Sequence, residues 1–173
     1  MTTSDKEILH KRAISNACND KRDELAQAEC IDTLEFALFN NNYALRASYA
    51  SKVHYLREIT RIPGAPPFVQ GVINLRGDII SLVNLQSLLN IKERGLTELN
   101  RVVVISNGTN YFGLICDKIH GIAKRNISEL SHSAANSSDK HSLYSEGIFC
   151  DNTILLNAEY LLNSPEIIIT KHE

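Results

Sequence analysis

Tryptophan is absent from this 173-residue chain, methionine occurs once, and the aromatic rings are limited to five Phe and six Tyr. A platform that stacks unpaired bases needs rings exposed in a row, so this scarcity argues against single-strand nucleic-acid binding. Excess charge of one sign is missing too: 18 Lys and Arg stand against 20 Asp and Glu, a net charge of -2. Proteins that hold nucleic acid or anionic membranes by charge are usually strongly basic. No apolar run approaches the roughly 18 residues of a membrane span. Residues 1–30 mix both signs of charge and lack the apolar stretch of a secretory signal. The four cysteines, Cys18, Cys30, Cys116 and Cys150, are far apart and form no CxxC. That spacing points to reduced thiols in a cytoplasm rather than a disulfide or metal framework.

The motifs of common chemistry are also lacking. There is no GxxxxGK[ST], no GxGxxG and no HExxH. Cys116 and His120 have i, i+4 spacing, but in a strand-like segment that spacing separates them, so no metal site is expected. His132 and His141 fall in a polar stretch and read as solvated. Cys150 beside Asp151 suits a small buried residue better than a nucleophile, and nothing places nucleophile, base and orienting group together. An enzyme is therefore not expected, and no cofactor or metal is implied.

What is present is a series of short apolar strands cut by turns. Residues 4–29 read as a helix, opened by the capping box Ser4 and Glu7. From Ile31 the period changes to two: Leu34, Phe36 and Leu38 alternate with Glu35 and Ala37, and Asn40-Asn41-Asn42 turns the chain into Tyr43–Ala47. Val53–Ile59 is a further strand candidate. Three prolines in Pro63-Gly64-Ala65-Pro66-Pro67 make a stiff connection outside any sheet interior. After it, Gly71–Arg76 and Ile79–Val83 flank Gly77-Asp78 as a hairpin turn, and Val102–Ile105 pairs with Tyr111–Cys116 across Asn107-Gly108. Residues 131–142 read as a mobile polar loop.

One stretch echoes another. Leu82-Val83-Asn84-Leu85-Gln86-Ser87-Leu88-Leu89-Asn90 recurs 73 positions later as Leu155-Leu156-Asn157-Ala158-Glu159-Tyr160-Leu161-Leu162-Asn163, and Asp78 matches Asp151 at the same offset. Each copy reads as turn, strand, Asn cap and short helix. A repeated supersecondary unit follows, and with it one all-β domain of two similar halves built as small barrels. Arg76 is the side chain this pattern leaves unexplained. Held between the proline-stiffened connection and a tight turn, it offers a rigid guanidinium fork suited to protein recognition.

The run Arg61-Ile62-Pro63-Gly64-Ala65-Pro66-Pro67-Phe68-Val69-Gln70-Gly71-Val72-Ile73-Asn74-Leu75-Arg76-Gly77 resembles the hallmark of the CheW family of chemotaxis coupling proteins. Leu34–Leu38 with Tyr43–Leu45 is similar to that family's opening hairpin. Asn100–Ile105, Gly113–Asp117 and Ile119 resemble its second half, and Gly147 with Ile154–Asn163 its last strand and helix. The resemblance implies a CheW-like domain over residues 31–165, behind a helical extension at 1–30 and before a tail at 166–173. It implies two five-stranded, SH3-like β-barrels, and a non-catalytic, cytoplasmic adaptor, a monomer by itself. That adaptor would link chemoreceptor tips to the regulatory domain of a CheA-type histidine kinase. The family arginine carries over to Arg76. Receptor tips are helical hairpins, so a groove or rim of Ala50, Val53, Arg76, Val102 and Val103 is expected to take a helix.

The sequence departs from the pattern at Lys52, where many members carry an acid. With Arg76 it would present a positive edge that favours an acidic partner. The long N-terminal segment resembles that of relatives in varied chemosensory systems, so a parallel pathway, such as one for surface motility, is the alternative reading. A small-barrel nucleic-acid binder is a third, disfavoured by the balanced charge.

Overall fold

A computed structural model describes residues 29–90, 95, 99–131 and 140–167. The helix expected over 4–29 lies, Glu29 apart, outside them. Strands β1 (Cys30–Leu38) and β2 (Asn41–Arg46) form a hairpin, and a 3-10 turn at Ala47–Tyr49 leads to β3 (Ala50–Tyr55). The next hairpin is β4 (Val69–Leu75) and β5 (Asp78–Val83), followed by the short helix α1 (Leu85–Leu88). Then come β6 (Arg101–Ser106), β7 (Tyr111–Cys116) and β8 (Lys118–Asn126). A 3-10 turn at Ile127–Glu129 precedes β9 (Leu130–Ser131), and α2 (Lys140–Leu143) precedes β10 (Ser145–Phe149). The described chain ends with β11 (Ile154–Leu156) and α3 (Ala158–Asn163). The loop expected over 131–142 thus gives Ser131 to a strand and Lys140–Leu143 to a helix.

The strands form two sheets, one ordered β8-β1-β2-β11-β10-β9 and the other β3-β6-β7-β5-β4. Read in that order they correspond strand for strand, including one parallel pair at the same place, β2 with β11 and β7 with β5. Five strands were expected in each. The sixth is β9, two residues paired with Ile148 and Phe149. Its counterpart in the other sheet is a single bridge: Thr60 and Val72 exchange N–H···O bonds of 2.9 and 2.8 Å. Since Thr60 continues the chain from β3 at one edge and Val72 lies in β4 at the other, that bridge curls the second sheet into a barrel.

The repeat read from sequence is real in structure. Asn84 Oδ1 accepts from Gln86 N at 3.0 Å ahead of α1, and Asn157 Oδ1 accepts from Tyr160 N at 2.8 Å ahead of α3. The halves, however, are not successive. Barrel two is built from β3 to β7, whereas barrel one combines β1 and β2 with β8 to β11. Barrel two is inserted into barrel one.

Each barrel has a small core, and a larger one lies between them. Leu56, Ile73, Ile80, Leu82, Val102, Val104 and Ile115 fill barrel two, and Ala44, Phe149 and Leu155 fill barrel one. The seam draws Leu34, Phe36 and Leu45 from one sheet and Val83, Val103, Ile105 and Leu114 from the other, sealed by Leu85, Leu88, Leu161 and Leu162 of the two capped helices. A central strand here meets apolar atoms on both faces, so its sequence is a run rather than an alternation: Val102-Val103-Val104-Ile105 is buried throughout.

Barrel one is held at its edge by charge. Arg125 on β8 donates from Nε to Glu35 on β1 (2.5 Å), reaches Asp151 in the β10–β11 turn (2.8 Å), and lies 5.2 Å over the Phe149 ring. Burial raises the Asp151 carboxyl, but the Thr153 backbone N–H and the Arg125 guanidinium outweigh it and hold the carboxyl below its ordinary 3.8. A depressed carboxyl contributes stability that is complete above its unfolded value and lost as pH falls through the folded one. The clasp therefore weakens only below about pH 4. With Asp151 about half exposed, its contribution stays under about 1 kcal/mol after screening. Stability measured by urea unfolding should fall less steeply below pH 4 in Asp151→Asn than in wild type, while the two curves run parallel above it.

Candidate partner-binding site

Of the six residues expected at a partner surface, three gather at one end of barrel two. Leu75 and Asp78 close the β4–β5 hairpin, so the turn is Arg76-Gly77 and not Gly77-Asp78. Both central residues have positive φ, 57° and 99°, the signature of a type I′ turn whose twist matches that of the strands. Asn74 Oδ1 accepts from Gly77 N at 2.8 Å and fixes the loop. Arg76 is exposed and sits in the left-handed region, which costs a side-chain-bearing residue about 1 kcal/mol relative to glycine. Arg76→Gly should accordingly raise stability by up to that amount in a denaturant titration, while removing the guanidinium.

Lys52 projects from β3 and pairs with Asp78, Nζ to Oδ2, at 3.8 Å. The positive edge expected of Lys52 with Arg76 is thus partly offset, because Asp78 lies where the sequence showed only a turn. Val53, beside Lys52, is 47% exposed. Ala50 is half buried and packs against the seam.

Val102 and Val103 are corrected by the structure: both are fully buried. Val102 faces the interior of barrel two and Val103 the seam. A partner reaches neither without opening a core. Sequence reasoning also missed two exposed side chains on the neighbouring strands, Ile79 at 56% and Tyr55 at 59%. Arg101 is occupied over the Tyr55 ring, 3.7 Å from its centroid. Among the described residues Arg76 makes no ion pair.

Burial, and then the neighbouring Asp117 carboxylate, push the Cys116 thiol up to about 12, so it is a core residue and not a nucleophile. Cys30 is a free, exposed thiol. Cys150, expected to be a small buried residue, is exposed instead, its Sγ 3.6 Å from the Glu129 carbonyl oxygen, and Cys18 lies outside the described residues. Among the described residues no cluster of His, Cys, Asp and Glu could hold a metal ion, and no helix is long and apolar enough to cross a membrane.

Two interlocked barrels with an arginine at the tip of a left-handed turn have a counterpart among known proteins. A family model described as the CheW-like domain matches residues 32–166. The chain belongs to the CheW-like domain family. Its structure is similar to that of the scaffolding protein TtCheW from Thermoanaerobacter tengcongensis, with a TM-score of 0.65 and 26% identity over 74% of this chain and 88% of that one. In sequence it is similar to "Chemotaxis protein CheW" of Thermotoga maritima, 30% identical over 117 residues, 68% of this chain and 76% of the relative. "Chemotaxis protein CheW" of Bacillus subtilis is 28% identical over 95 residues, 55% of this chain. That match spans 61% of the Bacillus protein, less than two thirds of its length. "Protein PilI" of Pseudomonas aeruginosa is 32% identical over 63 residues, 36% of this chain and 35% of its own.

Proposed function

We propose that this CheW-like protein is a non-catalytic adaptor that couples the cytoplasmic tips of chemoreceptors to the regulatory domain of a CheA-type histidine kinase. The observation that carries the reading is the exposed, turn-fixed Arg76 in its N-L-R-G setting, within a family match that spans nearly all of the described chain. The names of the relatives support it. Coupling asks for rigid surfaces and no chemistry, which two barrels sharing one seam supply. The receptor tip, a helical hairpin, docks on the end of barrel two around Arg76, Val53 and the rim at Ala50. The protein works in the cytoplasm and is a monomer by itself. The likeness to PilI favours a second reading, the same adaptor role in a parallel chemosensory pathway.

A pull-down with the regulatory domain of the cognate kinase tests the reading. Binding is expected at tens of micromolar or tighter, about -6 to -7 kcal/mol. Arg76→Ala is expected to weaken the receptor tip about tenfold while changing stability by less than about 0.5 kcal/mol, as surface substitutions usually do. No kinase binding, or wild-type receptor affinity in Arg76→Ala, would sink it.

A further inference from the structure

Ion pairs exposed at both ends hold little of a fold together. The Lys52–Asp78 pair is of that kind, with 52% and 64% of the two side chains exposed. Its place is more informative than its strength. Asp78 opens β5 directly after the Arg76-Gly77 turn, and Lys52 reaches it from β3. Val53 and Ile79, the exposed residues that follow the two partners in their strands, point to the opposite face of the sheet, as alternation along a strand requires. A partner seated on the Arg76-Gly77 turn also excludes water from the ion pair next to it, and attraction within the pair grows as the local dielectric falls. A second acid on the partner facing Lys52 would then meet the Asp78 carboxylate as well, and like charges brought together without water are costly.

We propose that Asp78 determines the specificity of this face: by engaging Lys52 it leaves only Arg76 of the two cations open to a partner. The face then takes a receptor helix with one carboxylate set against Arg76, and disfavours a helix carrying a second acid opposite Lys52. The proposal rests on the receptor-docking reading above and adds the chemistry of the partner. Lys52 acts here through Asp78, as the neutralised half of a pair and not as a contact to the partner. Selectivity of this sort arises from what is repelled as much as from what is attracted.

The test is titration of a purified receptor-tip fragment from the same genome, and of a version with one extra glutamate a helical turn from its own acid. Each is measured at two salt concentrations against wild type, Arg76→Ala, Asp78→Asn, Lys52→Glu and the exchanged pair Lys52→Asp with Asp78→Lys. Asp78→Asn should bind the extra-glutamate tip about fivefold better than wild type does, with a steeper salt dependence. Lys52→Glu should weaken the natural tip about tenfold, and the exchanged pair should recover to within about threefold of wild type. An exchanged pair as weak as Lys52→Glu would mean that Lys52 touches the partner directly, and would overturn the proposal. So would an Asp78→Asn protein that treats the two tips as wild type does. Asp78→Ser serves in its place if the asparagine variant does not fold. Wild-type affinity in Arg76→Ala instead removes the docking reading itself, a separate result from the same titration.

Discussion

Gly71→Ala is expected to destabilise the protein by about 3 kcal/mol or more, the largest effect of any single methyl group in barrel two. Gly71 has φ 142°, where L side chains are strained. A Cβ there would also run into the backbone carbonyl of Thr60 and come within 2.8 Å of Ile59 Cγ2. Those atoms belong to the segment that pairs with Val72 and closes the barrel, and backbone cannot step aside as a flexible side chain does. Gly108 is the control: its φ is 89°, but nothing lies within 4 Å of a Cβ built on it, so Gly108→Ala carries backbone strain alone, about 1 kcal/mol. Urea unfolding of both variants checks the difference, and hydrogen exchange at the Val72 amide shows whether the bridge has opened. Equal losses in the two variants would mean that the close approach at Gly71 is not what holds the barrel shut.

Phe36→Ala comes next, with an expected loss of about 3–5 kcal/mol. The ring is fully buried in the seam and stacks on Tyr43 with centroids 6.0 Å apart. Because the seam belongs to both barrels, the cavity should weaken both together. Amides of β6 in barrel two and of β11 in barrel one should lose protection in parallel, and the unfolding midpoint should stay single. If β11 loosens while β6 keeps wild-type protection, the barrels are independent units merely in contact.

Much of this architecture is legible in the residues. Alternation marks β1, the Asn caps mark both short helices, and the echo between Leu82–Asn90 and Leu155–Asn163 marks the repeated unit. What misleads is anything set by distant chain. Three asparagines at 40–42 suggest the first turn, yet the turn is Phe39-Asn40, with Phe39 at φ 58°. The Phe39 N–H donates to Asp117 Oδ2 at 2.7 Å, and the other oxygen of Asp117 accepts from Asn100 Nδ2 at 2.8 Å. A carboxylate 78 positions away thus helps to decide which residue turns. The valines at 102 and 103 fail as surface candidates for a related reason. Apolar content alone does not separate a strand buried on both faces from one with a face left for a partner. Arg76 was legible because Gly77 marks a tight turn beside it and a proline-stiffened connection precedes its strand. Asp78 was not, since its cation comes from another strand.

The insertion of barrel two within barrel one sets an order of assembly. As the chain leaves the ribosome, β1 and β2 emerge first, but their neighbours β8 and β11 come last; Thr33 and the Ala123 carbonyl it binds are 90 positions apart. Barrel two is contiguous and has all its strands in hand well before. The opening hairpin must therefore wait, its apolar face uncovered, for roughly 5–20 seconds or longer at ordinary rates of synthesis. During that interval the half-made protein exposes Phe36 and Leu45 to anything that binds apolar strands. A nascent-chain chaperone should find its substrate there, and release it only when β11 has left the tunnel.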